Sequence, residues 1–351
     1  MRGLFYIQVT MRKTICQIFT GAAALALITI TGLLMPPDVR ACSSCGCTLS
    51  SDWDNLQFSS TSGLKLDLRY DYLNQNQLRS GTGTISPSSA SQIMNNGSPQ
   101  EVEQYTRNNY LTLGIDYAFS RDWGVNVQVP YINRGHSTLG TASDGYTPED
   151  GGGQYGSNTS GPGDIKVIGR YQGFTPECNL GILFGFKLPT GRYTMTGTST
   201  DPTAPGPVPI DRGLQPGSGT TDAILGIYYT DTITQSFDYF AQATLQAALN
   251  STEQYRPGNG VNLNLGLRYM DLHVFYPQIQ FNFRYVVHDT GANADTVSTG
   301  GTLLYISPGV SVPIGENVSA YSFVQLPLYQ NVNGVQLAPR YTMSFGVRYA
   351  F

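Results

Sequence analysis

From Leu64 the chain sets apolar Leu64, Leu66, Leu68, Tyr70 and Tyr72 against charged Lys65, Asp67, Arg69 and Asp71. A period of two puts the two sets on opposite faces of an extended strand. The same alternation recurs at 111–117, 125–131, 165–171, 182–188, 261–269, 275–285 and 340–351, with aliphatic and aromatic residues on one side and polar ones on the other. Weaker versions at 221–230, 237–249, 302–313 and 318–329 bring the expected strands to about twelve.

The links between these strands alternate in length. Short ones fall at 120–122, 174–178, 231–236, 270–272 and 315–317, and longer ones lie between them. The stretches 74–104, 134–163 and 190–219 are rich in Ser, Gly, Pro and Asn and read as mobile surface loops. Short turns on one side and long loops on the other distinguish a membrane barrel from a soluble sandwich. Closure supplies every strand edge with a partner, as lipid requires. The expected fold is therefore all-β: a transmembrane antiparallel up-and-down β-barrel of about twelve strands over residues 63–351. Aromatics at the strand ends form two girdles, Tyr117, Phe119, Trp123, Tyr269, Tyr349 and Phe351 at the turn side and Tyr72, Tyr131, Tyr285 and Tyr341 at the loop side. Phe351, after an alternating strand, fits the C-terminal signal read by the barrel assembly machinery.

Composition narrows the class further. Only 13% of residues are charged, whereas Gly numbers 40, Tyr 23 and Phe 15, a poor match to a soluble enzyme or a helical bundle. A net charge of −4 offers no basic surface, so nucleic acid is not an expected partner. Residues 1–41 read as a cleaved signal peptide, with Arg12 and Lys13 ahead of an apolar run at 18–35 and Val39-Arg40-Ala41 at its end. The product is expected in the outer membrane, in contact with its lipid, with residues 42–62 as a periplasmic N-terminal segment.

The inward face carries the usable chemistry. Lys65, Asp67, Arg69, Asp116, Asp164, Lys166, Arg170, Lys187, Arg268, Gln280, Arg284, Arg340 and Arg348 fall on expected lumen positions and make the wall mixed but net basic. Two readings follow: a channel whose cations attract anionic solutes, or a salt-bridged, largely filled interior that stiffens a narrow barrel. Cys42, Cys45, Cys47 and Cys178 lie on one side of the expected barrel. They suit disulfides or a soft-metal thiolate site, with lipidation of Cys42 a third option. No cofactor is implied, and covalent haem is not expected because no Cys-x-x-Cys-His occurs. His136, His273 and His288 form no catalytic constellation, so no enzymatic activity is expected.

Four segments carry a family resemblance: Gly161-Pro162-Gly163-Asp164-Ile165-Lys166, Lys187-Leu188-Pro189-Thr190-Gly191, 214–222 (Leu-Gln-Pro-Gly-Ser-Gly-Thr-Thr-Asp) and 329–337 (Tyr-Gln-Asn-Val-Asn-Gly-Val-Gln-Leu). They resemble recurring blocks of the outer-membrane family associated with the meta pathway of phenol degradation. The opening Cys cluster followed by Ser50-Ser51-Asp52-Trp53 is similar to some members. The resemblance implies a transporter-like barrel for small organic compounds. The functional expectation is a channel for small organic or anionic solutes, with residues 42–62 able to plug its periplasmic mouth. The alternative is a structural or partner-docking barrel, such as the sheath of an electron-transfer or export conduit, contacting a periplasmic protein through the Cys cluster.

Overall fold

A computed structural model describes residues 63–95, 98–99, 102–139, 154–199 and 206–351. The expected signal peptide, the 42–62 segment and Cys42, Cys45 and Cys47 lie outside the described residues.

The strands are β1 (Gly63–Gly81), β2 (Val102–Ala118), β3 (Trp123–Leu139), β4 (Gln154–Pro162), β5 (Ile165–Tyr171), β6 (Leu180–Leu188), β7 (Thr196–Ser199), β8 (Gly206–Pro209), β9 (Asp222–Thr234), β10 (Phe237–Ala248), β11 (Gly260–Tyr269), β12 (Tyr276–Val286), β13 (Gly301–Pro313) and β14 (Val318–Ala350). Each barrel strand pairs antiparallel with its sequence neighbours. β14 returns to β1 through Lys65↔Ala350 to Gly81↔Val332, which closes the sheet.

β14 is too long to be one crossing. Its 33 residues would extend roughly 110 Å at about 3.3 Å per residue, against an apolar band of about 25 Å. Residues up to Val332 pair with β13 and those beyond pair with β1. The amide of Ala350 donates to the carbonyl of Asn317 (2.9 Å), so the two ends of the segment lie side by side. The chain therefore doubles back at Asn333-Gly334, where Gly334 has φ +55°, the left-handed conformation a tight hairpin requires and glycine adopts without a steric cost. β4 and β5 make a single interrupted crossing, since both pair with β3, on its outer and inner halves respectively. Counted this way the wall has the twelve crossings expected from the alternation.

The two faces sort as lipid and lumen demand. Leu68, Leu113, Phe186, Leu225, Ile227, Leu265 and Val347 are exposed, whereas the residues alternating with them, among them Asp67, Asp116, Lys187, Asn264 and Arg348, are buried. So large an apolar exterior around a polar interior is the inverse of a water-soluble protein. Tyr117, Phe119, Trp123, Tyr349 and Phe351 ring the turn side, and Tyr131, Tyr285 and Tyr341 the loop side.

The loop side departs from the sequence expectation. Much of 74–104 and 134–163 is not surface loop: β1 runs on to Gly81, β2 starts at Val102, β3 reaches Leu139 and β4 starts at Gln154. The wall thus rises beyond the alternating segments because polar strand extensions keep their ladder bonds in water as well as in lipid. Within this extension Leu78, Ala90, Val102, Val335 and Leu337 form a small buried cluster. The 190–219 stretch is also no mobile loop where it is described. β7 and β8 form a hairpin against β4, and residues 210–220 turn inward, burying Ile210, Leu214 and Thr220.

Candidate functional site

The turn-side half of the lumen is packed. Arg170 holds Asp116 with both terminal nitrogens (3.1 and 3.3 Å), Arg268 holds Asp238 (3.0 Å), and Arg348 reaches Asp67 (3.4 Å). Asp238 and Asp67 stand directly opposite Arg268 and Arg348 in the ladder register, whereas Arg170 reaches Asp116 across the intervening β3, over Gly124. Tyr228, Phe240, Tyr321 and Phe323 point inward among them. Each covers a cross-strand glycine: a Cβ on Gly346 would lie 2.1 Å from the Tyr321 ring, and one on Gly266 2.0 Å from Phe240. Tyr321 also donates to Asp67 (3.0 Å) and Tyr228 to Gln172 (2.7 Å), satisfying the hydroxyls that burial would otherwise strand. Along β10 to β13 Asn264 donates to Gln242 (3.3 Å), Asn282 to Asn264 (2.8 Å), and Ser307 to Asn282 (2.6 Å), an amide ladder across four strands.

The loop-side half is open. A cavity of about 420 Å³ lies between the wall and the inward segment 210–220, lined by Arg69, Lys166, Lys187 and Arg284 among others. Three of the motif blocks meet at its rim. The strand break between β4 and β5 at Gly163-Asp164 turns the Asp164 carboxylate inward, where it accepts from the amides of Gly191 (3.1 Å) and Ser218 (2.9 Å) and from the Ser218 hydroxyl (2.8 Å). Lys187 pairs with Asp164 (3.1 Å) and with Asp222 (3.2 Å) and also donates to Ser218. Thr220 donates to Asp222 (2.9 Å), as does Gln246 (2.6 Å). Gly191 and Gly217 touch backbone to backbone, leaving no room for a side chain at either. The result is a clamp that fastens segment 210–220 inside the barrel. Arg134 reinforces it by donating to the carbonyl of Gly213 (2.7 Å). Arg212, stacked over Tyr193 and Tyr255 (4.3 and 5.2 Å), pairs with Glu253 (2.8 Å).

The residues expected to line the lumen sort as follows. Lys65, Asp67, Asp116, Arg170, Arg268, Gln280 and Arg348 are buried in the packed part; Asp164 and Lys187 form the clamp; Arg69, Lys166 and Arg284 face the cavity. Arg340 is a correction: it is exposed. Between Leu73↔Thr342 and Gln75↔Pro339 the register slips, so Arg340 and Tyr341 share one bulged step and Arg340 leaves the inward row. Sequence reasoning passed over Asp238, Arg134 and Arg212. Asp238 opens the weakly alternating 237–249 segment, and the two arginines sit in stretches read as loops.

Cys178 is buried in the β5–β6 turn with φ +55°, its thiol 3.7 Å from Asp122. His136, expected in a loop, instead lies buried on β3 with Nδ1 2.8 Å from the Thr106 hydroxyl, because that strand runs further than its apolar pattern. His273 and His288 are exposed. Beyond the membrane strands, Asp289 accepts from the Gly258 amide (2.8 Å) and Tyr255 (3.0 Å). Burial pushes its carboxyl above the ordinary carboxylate range.

No family model matches the chain, and no curated protein does. Among solved structures it is similar to the COG4313 outer membrane channel from Pseudomonas putida F1, at 12% identity and TM-score 0.57, over 91% of this chain and all of that one. A monoaromatic hydrocarbon channel, CymD, aligns at 10% identity and TM-score 0.47 over 88% of this chain and 95% of its own. The Ralstonia pickettii toluene transporter TbuX aligns at 14% identity and TM-score 0.44 over 83% and 90%. The fold is that of an outer-membrane β-barrel.

Proposed function

We propose that this chain is an outer-membrane channel that passes small solutes by diffusion. The observation that carries the reading is a closed barrel with a lipid-matched exterior whose interior holds a charged cavity of about 420 Å³ at the loop side. Solute enters from the loop side, passes the basic wall of Arg69, Lys166 and Arg284, and meets the clamped segment 210–220 and the packed turn-side layer as its resistances. Small organic and anionic solutes suit the cavity's mixture of cations with Pro130, Ile132 and Val286. The reading includes no catalytic step.

The convergence of three motif blocks on one clamp supports placing the chain in the outer-membrane family associated with the meta pathway of phenol degradation. Export through residues 1–41, insertion by the barrel assembly machinery and a periplasmic contact through residues 42–62 belong to the same proposal. So does a role for Cys42, Cys45, Cys47 and Cys178 in fastening that segment.

A rival reading, a docking or sheath barrel, draws support from the packed turn-side lumen of Tyr228, Phe240 and the ion pairs. Single-channel recording of the refolded protein in a planar bilayer, with reversal potentials in a salt gradient, separates the two. The channel reading expects discrete openings with an anion bias. A silent bilayer from a barrel that is folded by its heat-modifiable gel mobility refutes it and favours docking.

A further inference from the structure

Lys166 differs from the paired cations of the lumen. Arg170, Lys187, Arg268 and Arg348 each have a carboxylate within 3.4 Å, and Arg69 has Asp71 at 2.8 Å. Lys166 makes no ion pair and no hydrogen bond with any described residue. The charges around its ammonium are the cations Arg284, Lys187 and Arg69, with Asp222 as the carboxylate nearby. Asp222 is committed to Lys187, Thr220 and Gln246. The other carboxylates on the cavity have partners too: Asp71 has Arg69 and Ser344, Asp164 the clamp, Asp211 the Gly213 amide, and Asp289 has Gly258 and Tyr255.

Gathering like charges in a partly desolvated space is unfavourable, and an anion of matching size reverses the sign of the interaction for every one of them. A lysine retained at such a place without an ion pair of its own is poised to take a counter-charge from solution. The cavity also fixes what the anion carries with it. Its volume lies in the range of small-molecule sites, roughly 300–1,000 Å³. Beside the cations its wall offers Tyr110, Pro130, Ile132 and Pro257.

We infer that Lys166, with Arg69 and Arg284, forms a discrete, saturable binding site for a small organic carboxylate, whose body lies against Pro130 and Ile132. The site rests on the channel reading and deepens it, turning a diffuse anion bias into a stoichiometric stop on the solute's path. The ammonium of Lys166 binds the carboxylate as a point charge. The guanidinium of Arg284, oriented by its bond to Asn262 (3.1 Å), presents a planar fork beside it.

The test uses the full refolded protein with benzoate as the probe, acetate as a body-less comparison and chloride as the bulk ion. Benzoate is titrated against chloride current in planar bilayers, and independently by calorimetry on the detergent-solubilised barrel. The site predicts one saturating isotherm for benzoate, weaker binding of acetate, and a loss of about tenfold or more in benzoate affinity in Lys166→Gln, the order expected for a charge-assisted hydrogen bond. Lys166→Arg is expected to restore most of it. Arg340→Gln, exposed on its bulge, controls for net charge and should leave the isotherm in place. Conductance with no saturation overturns the site and leaves the channel standing. Calorimetric binding without conductance overturns the channel and leaves the site standing. Equal affinity in wild type and a folded Lys166→Gln overturns the assignment to Lys166.

Discussion

Removing the Asp164 carboxylate should free the inward segment and open the lumen. In Asp164→Ala the amides of Gly191 and Ser218 lose their carboxylate acceptor, as does the Ser218 hydroxyl, and Lys187 keeps Asp222 as its one carboxylate partner. Breaking a buried ion pair costs about 3–5 kcal/mol, and because Lys187 retains one partner the lower figure applies. Each orphaned neutral donor adds about 1 kcal/mol, offset in part by the entropy the released segment regains. A net shift of about 4 kcal/mol is roughly a thousandfold in the equilibrium between clamped and released states, at about 1.4 kcal/mol per decade. Two assays read it. Single-channel recording should show longer or larger openings, and limited trypsin digestion should cut after Arg212, which the wild type holds against Tyr193 and Tyr255. If a correctly folded Asp164→Ala barrel keeps both its openings and its resistance to trypsin, the clamp does not restrain the segment and the reasoning fails. If trypsin cuts while the openings stay as they were, the limiting resistance is the packed turn-side layer.

Further expectations concern the wall. Arg170→Gln strands Asp116 and should destabilise the barrel by about 3–5 kcal/mol, seen as a lower temperature for loss of the folded gel band; adding Asp116→Asn should recover much of it. Gly346→Ala places a methyl 2.1 Å from the Tyr321 ring, an overpacking worth about 1–3 kcal/mol, which the Tyr321→Ala background should relieve; equal losses in both backgrounds would contradict the contact. Asp289 has its folded-state affinity for a proton raised, so its contribution to stability is full below the unfolded value and is lost as pH rises through the folded one. Protection factors for hydrogen exchange at 287–300, which remove the intrinsic pH dependence of the amides, should accordingly be higher in acid than at neutral pH, and Asp289→Asn should flatten that dependence.

The wall was legible because lipid outside and charge inside force a period of two, and no soluble fold demands so stark a contrast. Asp67 and Leu68 announce their faces by chemistry alone. Three kinds of information are not local. The slip at Arg340 is a single extra residue, which leaves composition untouched yet turns Arg340 out of the inward row before a second irregularity on β1 restores the register at Gln77↔Ala338. Tyr228, Phe240 and Tyr321 break the rule that apolar means outward, because each is called inward by a glycine on the neighbouring strand. The clamp joins Asp164 to Ser218 across 54 positions; the blocks were visible as motifs, but their meeting depends on a strand break and an inward fold that neither block encodes by itself.

The closure of β14 on β1 sets the order in which the wall can be completed. The Ser344 hydroxyl reaches Asp71 from 273 positions away, and the seam that contains this bond pairs the first strand described with the last. Until the hairpin at Asn333-Gly334 arrives, β1 presents an open row of amides and carbonyls to whatever strand comes near. Every other wall strand meets a partner nearby in sequence, so the sheet can be laid down in sequence while its first edge waits. Such long-range pairing is slow to form. In a partly built sheet of this kind the unpaired edge of β1 is the reactive end, and the last hairpin is the strand that closes it.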